Sequence, residues 1–311
     1  MIGRRSAVVA VAVAATTTGC GLGPGGSSPG TATLTITRDY GAMPVLAASE
    51  SDPSESETVI RFLDREAEIT TRYGGGFVHS IDGTAGGVSG GRSSDWFFFV
   101  NGIESPRGSA EVDVRGGDRI WWDYRDWTGA ISTPAVVGSW PEPFLQASTD
   151  ESDRLAVTVG CLGARPPCDT VDDALAGAGV RARQKPGAAA DAGMRVLVGT
   201  WAEVRSDALA AELDRGPATS GVFARFERGP DGWRLAVLDP TGATVRTVGP
   251  GGGLVAGVRR GSGPVTWLVT GTDAAGVRDA AGLLDSDELA QRYAVATDGE
   301  TAIRVPEPEG G

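Results

Sequence analysis

The sequence predicts an α+β chain: an antiparallel β domain first, then a mixed α/β domain. Three observations carry this reading. Residues 96–127 (WFFFVNGIESPRGSAEVDVRGGDRIWWDYRDW) read as aromatic strands joined by turn residues, and Asn101, the single asparagine of the chain, precedes Gly102. Asn-Gly suits the two positive-φ positions of a type I′ hairpin. Residues 155–305 repeat a different theme, an apolar strand, a glycine turn and a helix-spaced run, which implies a partly parallel sheet. Between the two units, residues 146–154 are polar and acidic, a linker composition.

The chain has 311 residues, enough for two domains, and a net charge of −12. That balance argues against an electrostatic grip on nucleic acid. At the N-terminus, Arg4 and Arg5 precede an apolar run of small residues at 7–15, and Thr18-Gly19-Cys20 follows. This is the pattern of a signal peptide over residues 1–19, too short to span a bilayer as a mature helix. Gly19-Cys20 resembles a bacterial lipobox, which implies lipidation of Cys20 and attachment to the extracytoplasmic face of the cell membrane; secretion is the fallback. Cleavage removes Arg4 and Arg5 and takes the net charge to −14. Residues 20–30, rich in glycine, serine and proline, read as a flexible tether.

The first domain is expected over residues 31–145. Residues 31–40 alternate as a strand, 47–57 form an acidic loop, and 58–63 suit either a strand or a short helix. Residues 73–83 make a strand carrying His79, the single histidine, followed by a glycine-rich loop through residue 94. An antiparallel meander follows, with strands at 96–100, 110–114 and 119–124. The coil 134–144 then packs on the sheet.

The second domain is expected over residues 155–305. Strands are expected at 155–159, 195–198 and 265–269, helical stretches at 170–178, 206–213 and 275–284, and a hairpin at 222–226 and 233–238. Asp169 or Thr170 would cap the first helix. Residues 183–193 read as a loop, and 294–297 with 303–305 close the sheet. The segments beginning at Arg195 and Thr266 share strand, Gly-Thr turn and Val-Arg, which suggests a duplicated α/β unit. Residues 306–311 read as a disordered tail. Cys161 and Cys168 have two options. Two thiols without a nearby histidine fall short of a zinc ligand set, and an oxidising compartment favours a disulfide.

Catalytic motifs fail on inspection. Residues 87–91 (GVSGG) fit the letters of a nucleophile elbow, but they lie in glycine coil and His79 precedes them. No GxGxxG or Walker pattern supports nucleotide binding. The Gly-Thr turns at 199–200 and 271–272 could hold an anion, but helix capping explains them equally. Asp113, Asp118, Asp123 and Asp126 fit turn and edge roles. No nucleophile–base pair remains, so no enzyme activity is expected.

The aromatics are the stronger signal. By strand alternation, Ile120, Trp122 and Tyr124 share one face and Trp121 lies opposite; Trp96 and Phe98 oppose Phe97 and Phe99. One face must be core. The other either meets a ligand or is covered by the 134–144 coil or the second domain. The candidate binding set is Trp96, Phe98, Trp121, Trp122, Tyr124, Trp127 and His79, presented with the 83–94 loop. His79 is also explained as a satisfied strand residue.

The pieces GGFVHSIDG, WFFFVNGI and GGDRIWWDY, in this order, resemble the transcobalamin C-terminal-like domains of bacterial surface lipoproteins, over residues 31–145. The resemblance implies a β-grasp-like fold and kinship with the β domain that closes over cobalamin. The expected function is therefore an extracytoplasmic, lipid-anchored binding protein that captures a corrinoid-like or other ring-bearing molecule for an importer, with no cofactor or metal required. Expected partners are the membrane, a small-molecule ligand and a transporter component. The alternative is a surface adhesion protein whose aromatic face contacts protein or glycan.

Overall fold

The computed structural model describes residues 26–149, 157–187, 193–285 and 287–308. The signal peptide, Cys20, the 150–154 part of the linker and the last three residues of the tail lie outside them. The chain is α+β, as its patterning predicts. Among the described residues, no helix is long and apolar enough to cross a membrane.

The first unit is a mixed sheet under one helix. Strand Thr31–Arg38 lies second from one edge, antiparallel to Met43–Ser51 and parallel to the middle strand, Arg119–Asp126. Arg119–Asp126 in turn pairs antiparallel with Arg92–Val100. A hairpin, a helix, and a last strand returning parallel beside the first give a β-grasp-like arrangement. Helix Val59–Glu66 resolves the open reading of residues 58–63, burying Val59, Phe62 and Leu63 at the i, i+3, i+4 spacing of one helical face.

Asn101 and Gly102 both have positive φ and join the Arg92–Val100 strand to Ile103–Glu104. The Asn101 side chain also holds the sheet end together. Its Nδ2 donates to Asp118 Oδ1 (2.8 Å) and to Gln146 Oε1 (2.8 Å), and its Oδ1 accepts from Arg119 N (2.8 Å). Gln146 therefore belongs to the fold, in helix Phe144–Thr149, rather than to a linker.

Three further local expectations change. Residues 110–114 are not a strand: they hold a 3₁₀ turn, Ser109–Glu111, and pack beneath the helix through Val112 and Val114. The glycine loop is mostly paired, with Gly87–Ser89 antiparallel to Arg92–Val100 and Gly90-Gly91 turning at positive φ. Residues 26–30 are pinned rather than free, since Ser28 N donates to Pro53 O (2.8 Å) and Gly30 N to Asp52 Oδ1 (2.9 Å).

The second unit is built on a seven-stranded sheet. Its order is Ala182–Pro186, Val157–Cys161, Met194–Thr200, Thr266–Gly271, Gly253–Val258, Ala294–Thr297 and Ala302–Val305. The first four strands are mutually parallel, and the last three run antiparallel to their neighbours. The two segments suspected of duplication lie side by side as parallel strands, each entering a helix. Helix Arg165–Gly177 starts earlier than expected, behind Ala164 with proline in its first turn, and Cys168 on it is disulfide-bonded to Cys161. With Ala274–Gly282 it covers one face of the sheet. The expected 206–213 helix is instead a short helix, Trp201–Val204, and a 3₁₀ segment, Ala210–Arg215. The expected hairpin forms as Ala224–Gly229 with Gly232–Leu238, and Thr244–Val248 extends it.

The two units share a core. Tyr40, Phe99 and Trp121 of the first pack in one cluster with Leu254, Phe223 and Tyr293 of the second. The 134–144 coil runs along this seam: Val136 N donates to Gly102 O (2.9 Å) and Val137 N to Tyr293 O (3.1 Å). The seam is tight enough to require glycine at position 41, where φ is +79° and an added Cβ would lie 2.0 Å from Gln291 O.

Gly41→Ala should cost roughly 2–5 kcal/mol, combining left-handed strain with overpacking. Gly83→Ala has a similar φ of +77° but open space around it, and should cost only about 1 kcal/mol. Urea midpoints of the two variants check the difference.

Candidate functional site

The inner strands of the first unit's sheet are interior on both faces, while the outer strands Met43–Ser51 and Gly87–Ser89 are largely exposed. Trp96, Phe98 and Trp122 point to the helix side. Phe98 stacks on Trp122 at 4.8 Å between ring centroids, and Trp96 tilts against Tyr124 at 5.3 Å. On the opposite face Trp121 meets Phe99 and Tyr293 at 5.5 and 5.3 Å, and its Nε1 donates to Thr37 Oγ1 (2.7 Å). The open question of the second aromatic face thus resolves as cover by the second unit and the coil. The large rings are not displayed outward, because sealing them removes apolar area from water on both sides of the sheet.

Charges alternate with these rings on the covered face. Asp123 is not a turn or edge acid but wholly buried. It accepts from Thr37 Oγ1 (2.5 Å), Gly41 N (3.0 Å) and Tyr293 Oη (3.0 Å). Burial pushes its carboxyl up to about 6, against the pull of those three donors and of Arg125. Arg125, also wholly buried, lies over the Phe97 ring at 3.8 Å, donates to Ala130 O (2.8 Å) and Ile131 O (3.0 Å), and sits 3.6 Å from Glu104. Burial raises the Tyr293 hydroxyl well above its usual range, with the Asp123 charge adding to it. Apart from Arg125 Nε, which has no partner among the described residues, the polar groups of this constellation are spent on one another and on backbone, and they join the units.

An opening remains on the helix side. A cleft of about 230 Å³ is walled by Phe77, Phe97 and the 105–109 segment, and floored by Trp96, Phe98 and Trp122. It is close to the lower end of ordinary small-ligand pockets. Two of its lining groups are only 2 % exposed and have no hydrogen-bond partner among the described residues, the Trp122 Nε1–H and the Ser109 hydroxyl. A buried polar group left unpaired costs about 1–3 kcal/mol, so two beside one cleft call for an explanation. Arg107 stands exposed in the wall with no ion pair among the described residues. Glu104, the lining carboxylate, is engaged: besides Arg125, its Oε2 accepts from Thr133 N (2.5 Å). Burial raises its carboxyl, opposed by Arg125 and by the Thr133 and Ser132 hydrogen bonds.

The cleft gathers three of the seven candidate residues. Trp121 lies in the seam instead. Tyr124 is half-buried and donates its hydroxyl to Ala85 O (3.1 Å). Trp127 is half-buried beyond the strand end, and neither it nor the 83–94 loop lines the cleft. His79 shares the less buried side of strand Phe77–Ile81 with Phe77 but does not line the cleft. Ser109, Arg107 and Phe77 were not marked by the sequence; only Pro106 beside Arg107 signals a rigid turn there.

A wider cleft of about 530 Å³ lies at the seam, bordered by Asp39, Tyr40, Asp126 and Asp239. Its polar groups are largely spent on local turns. Asp239 Oδ1 accepts from Thr241 N and Ala243 N, and Asp126 Oδ1 from Thr128 N. Among the described residues, no group of three or more His, Cys, Asp or Glu side chains is placed to hold a metal ion.

Residues 56–126 match the family described as a domain of unknown function (DUF4430). That segment runs from the helix through the Arg119–Asp126 strand and contains the whole lining of the aromatic cleft. No curated protein matches the chain. Among solved structures, a "putative metal binding protein" from Ruminococcus gnavus is similar at 12 % identity with a TM-score of 0.25; the match covers 31 % of this chain and 97 % of that one.

The Asp123 carboxyl gives a pH test. Its folded value near 6 lies above the ordinary aspartate value near 4. Its contribution to stability is therefore full below about pH 4 and lost as the pH rises through 6. Asp123→Asn should flatten the wild-type fall in stability between pH 4 and 7, on the order of 3 kcal/mol at most. Urea midpoints at several pH values read the slope of each protein.

Proposed function

We propose that this chain is a non-catalytic, lipid-anchored extracytoplasmic binding protein whose first unit holds a small ring-bearing molecule for delivery to an importer. The observation that carries the reading is the cleft floored by Trp96, Phe98 and Trp122. Aromatic walls with a few polar groups are the usual make-up of a small-molecule site, and flat rings stack on them with little entropy loss. The anchor rests on the Gly19-Cys20 pattern behind an apolar run, and the importer on delivery being the common use of such a protein. The resemblance to transcobalamin C-terminal-like domains supports a corrinoid as one version. A corrinoid is far larger than about 230 Å³, so it would rest across the cleft mouth with only an edge inside. A ligand of one or two rings fits within.

Tryptophan fluorescence of the full chain, titrated in parallel with naphthalene-sized probes and with cobinamide, tests the site. Two-ring probes should quench saturably, and Phe77→Ala should weaken them about tenfold, the scale of one lost aromatic contact. Cobinamide quenching that ignores Phe77→Ala would favour another surface; flat titrations with both would end the reading. For the anchor, Cys20→Ala should move the protein from the membrane to the soluble fraction.

A further inference from the structure

Resting on the proposed binding role of this cleft, we infer that its ligand is an aromatic carboxylate of one or two rings. The unspent polar groups around the cleft are donors. The Trp122 indole N–H can only donate, and so can the Arg107 guanidinium; the Ser109 hydroxyl can do either. None has a protein acceptor among the described residues. A ligand that brings only donors leaves the first two unmatched. One that brings two acceptor oxygens on a planar group matches the fork of an arginine in the way carboxylates do.

Glu104 does not reverse that preference. Its carboxylate faces Arg125 across 3.6 Å and accepts from Thr133 N, so its charge is balanced within the wall. Arg107 is then the charge of the lining without an ion pair among the described residues, and a carboxylate oxygen of Glu111 lies near its segment, 3.8 Å from the Cβ position at Gly108. Elsewhere the chain is acidic, with a net charge of −12, so attraction for an anion must be local and short in range.

The size of the ligand follows from the cleft. About 230 Å³ admits a fused two-ring acid, with its rings on Trp96, Phe98 and Trp122 and its carboxylate toward residues 105–109. The Trp122 Nε1 and Ser109 Oγ atoms are closed from solvent, so Arg107, at the exposed rim of the wall, is the donor that a carboxylate meets directly. The segment is locally fixed by Ser105 Oγ donating to Arg107 O (3.0 Å), and by close approach at Gly108, where a Cβ would lie 2.8 Å from Gly76 O.

The test is calorimetric titration of the full chain with 2-naphthoate and with 2-naphthamide, which has the same rings and no charge. The wild type should bind the acid at least tenfold more tightly than the amide. Arg107→Ala, an exposed position whose loss should leave the melting temperature unchanged, should bring the two within about twofold. Arg107→Lys should keep part of the difference, and Arg115→Ala, exposed and outside the cleft, all of it. Equal, saturable binding of acid and amide to the wild type overturns the carboxylate inference and leaves a ring-binding cleft. Absence of saturable binding by either overturns both.

Discussion

A sheet whose inner strands are buried on both faces needs a second cover, and this requirement organises the molecule. The central strands carry Trp122 and Ile120 toward the helix, and Trp121, Asp123 and Arg125 toward the second unit. Sealing Asp123 and Arg125 from water carries a desolvation penalty that only matched partners offset. Those partners are drawn from several parts of the chain: Thr37 and Gly41 from the first hairpin, Ala130 and Ile131 from the following coil, and Tyr293 from near the far end. The seam is thus specific as well as apolar. Sliding one unit against the other would leave buried charges without partners.

The same arrangement explains why the opening sits where it does. The helix covers the sheet around Leu34 and Ile36 with its Val59 and Phe62, while the 105–109 segment approaches Trp122 and Phe98 without closing over them. Proline and two residues of turn composition hold that segment away from the sheet, and no large apolar side chain in it fills the gap. An apolar floor with unmatched polar groups follows from this geometry.

Much of the fold was legible. Period-two alternation put Trp121 and Trp122 on opposite faces, and the lone asparagine marked its turn, because each is a local rule. The strands Thr244–Val248 and Ala182–Pro186 were not, since TVRTV is largely exposed and ARQKP is polar; their pairing comes from neighbours. Residues 110–114 misled for the converse reason: their alternation serves packing under a helix instead of a ladder. Of the candidate site, the floor was legible as aromatic residues and the wall was not, because SPRGS reads as a turn whatever it encloses. Asp123 read as a turn or edge acid and nothing marked Arg125, since a charge on a strand declares burial only once its cover is known.

The seam also bears on how the chain is made. Tyr293 reaches Asp123 across 170 residues, and Arg304 donates to Tyr40 O across 264. Ribosomal synthesis delivers the sheet long before its cover, so Phe99, Trp121 and a buried ion pair await their lid through more than half of translation. Contacts of such sequence separation form slowly, and early sheets with uncovered rings are prone to association. The aromatic face that is silent in the finished protein is therefore the surface a folding helper would meet first.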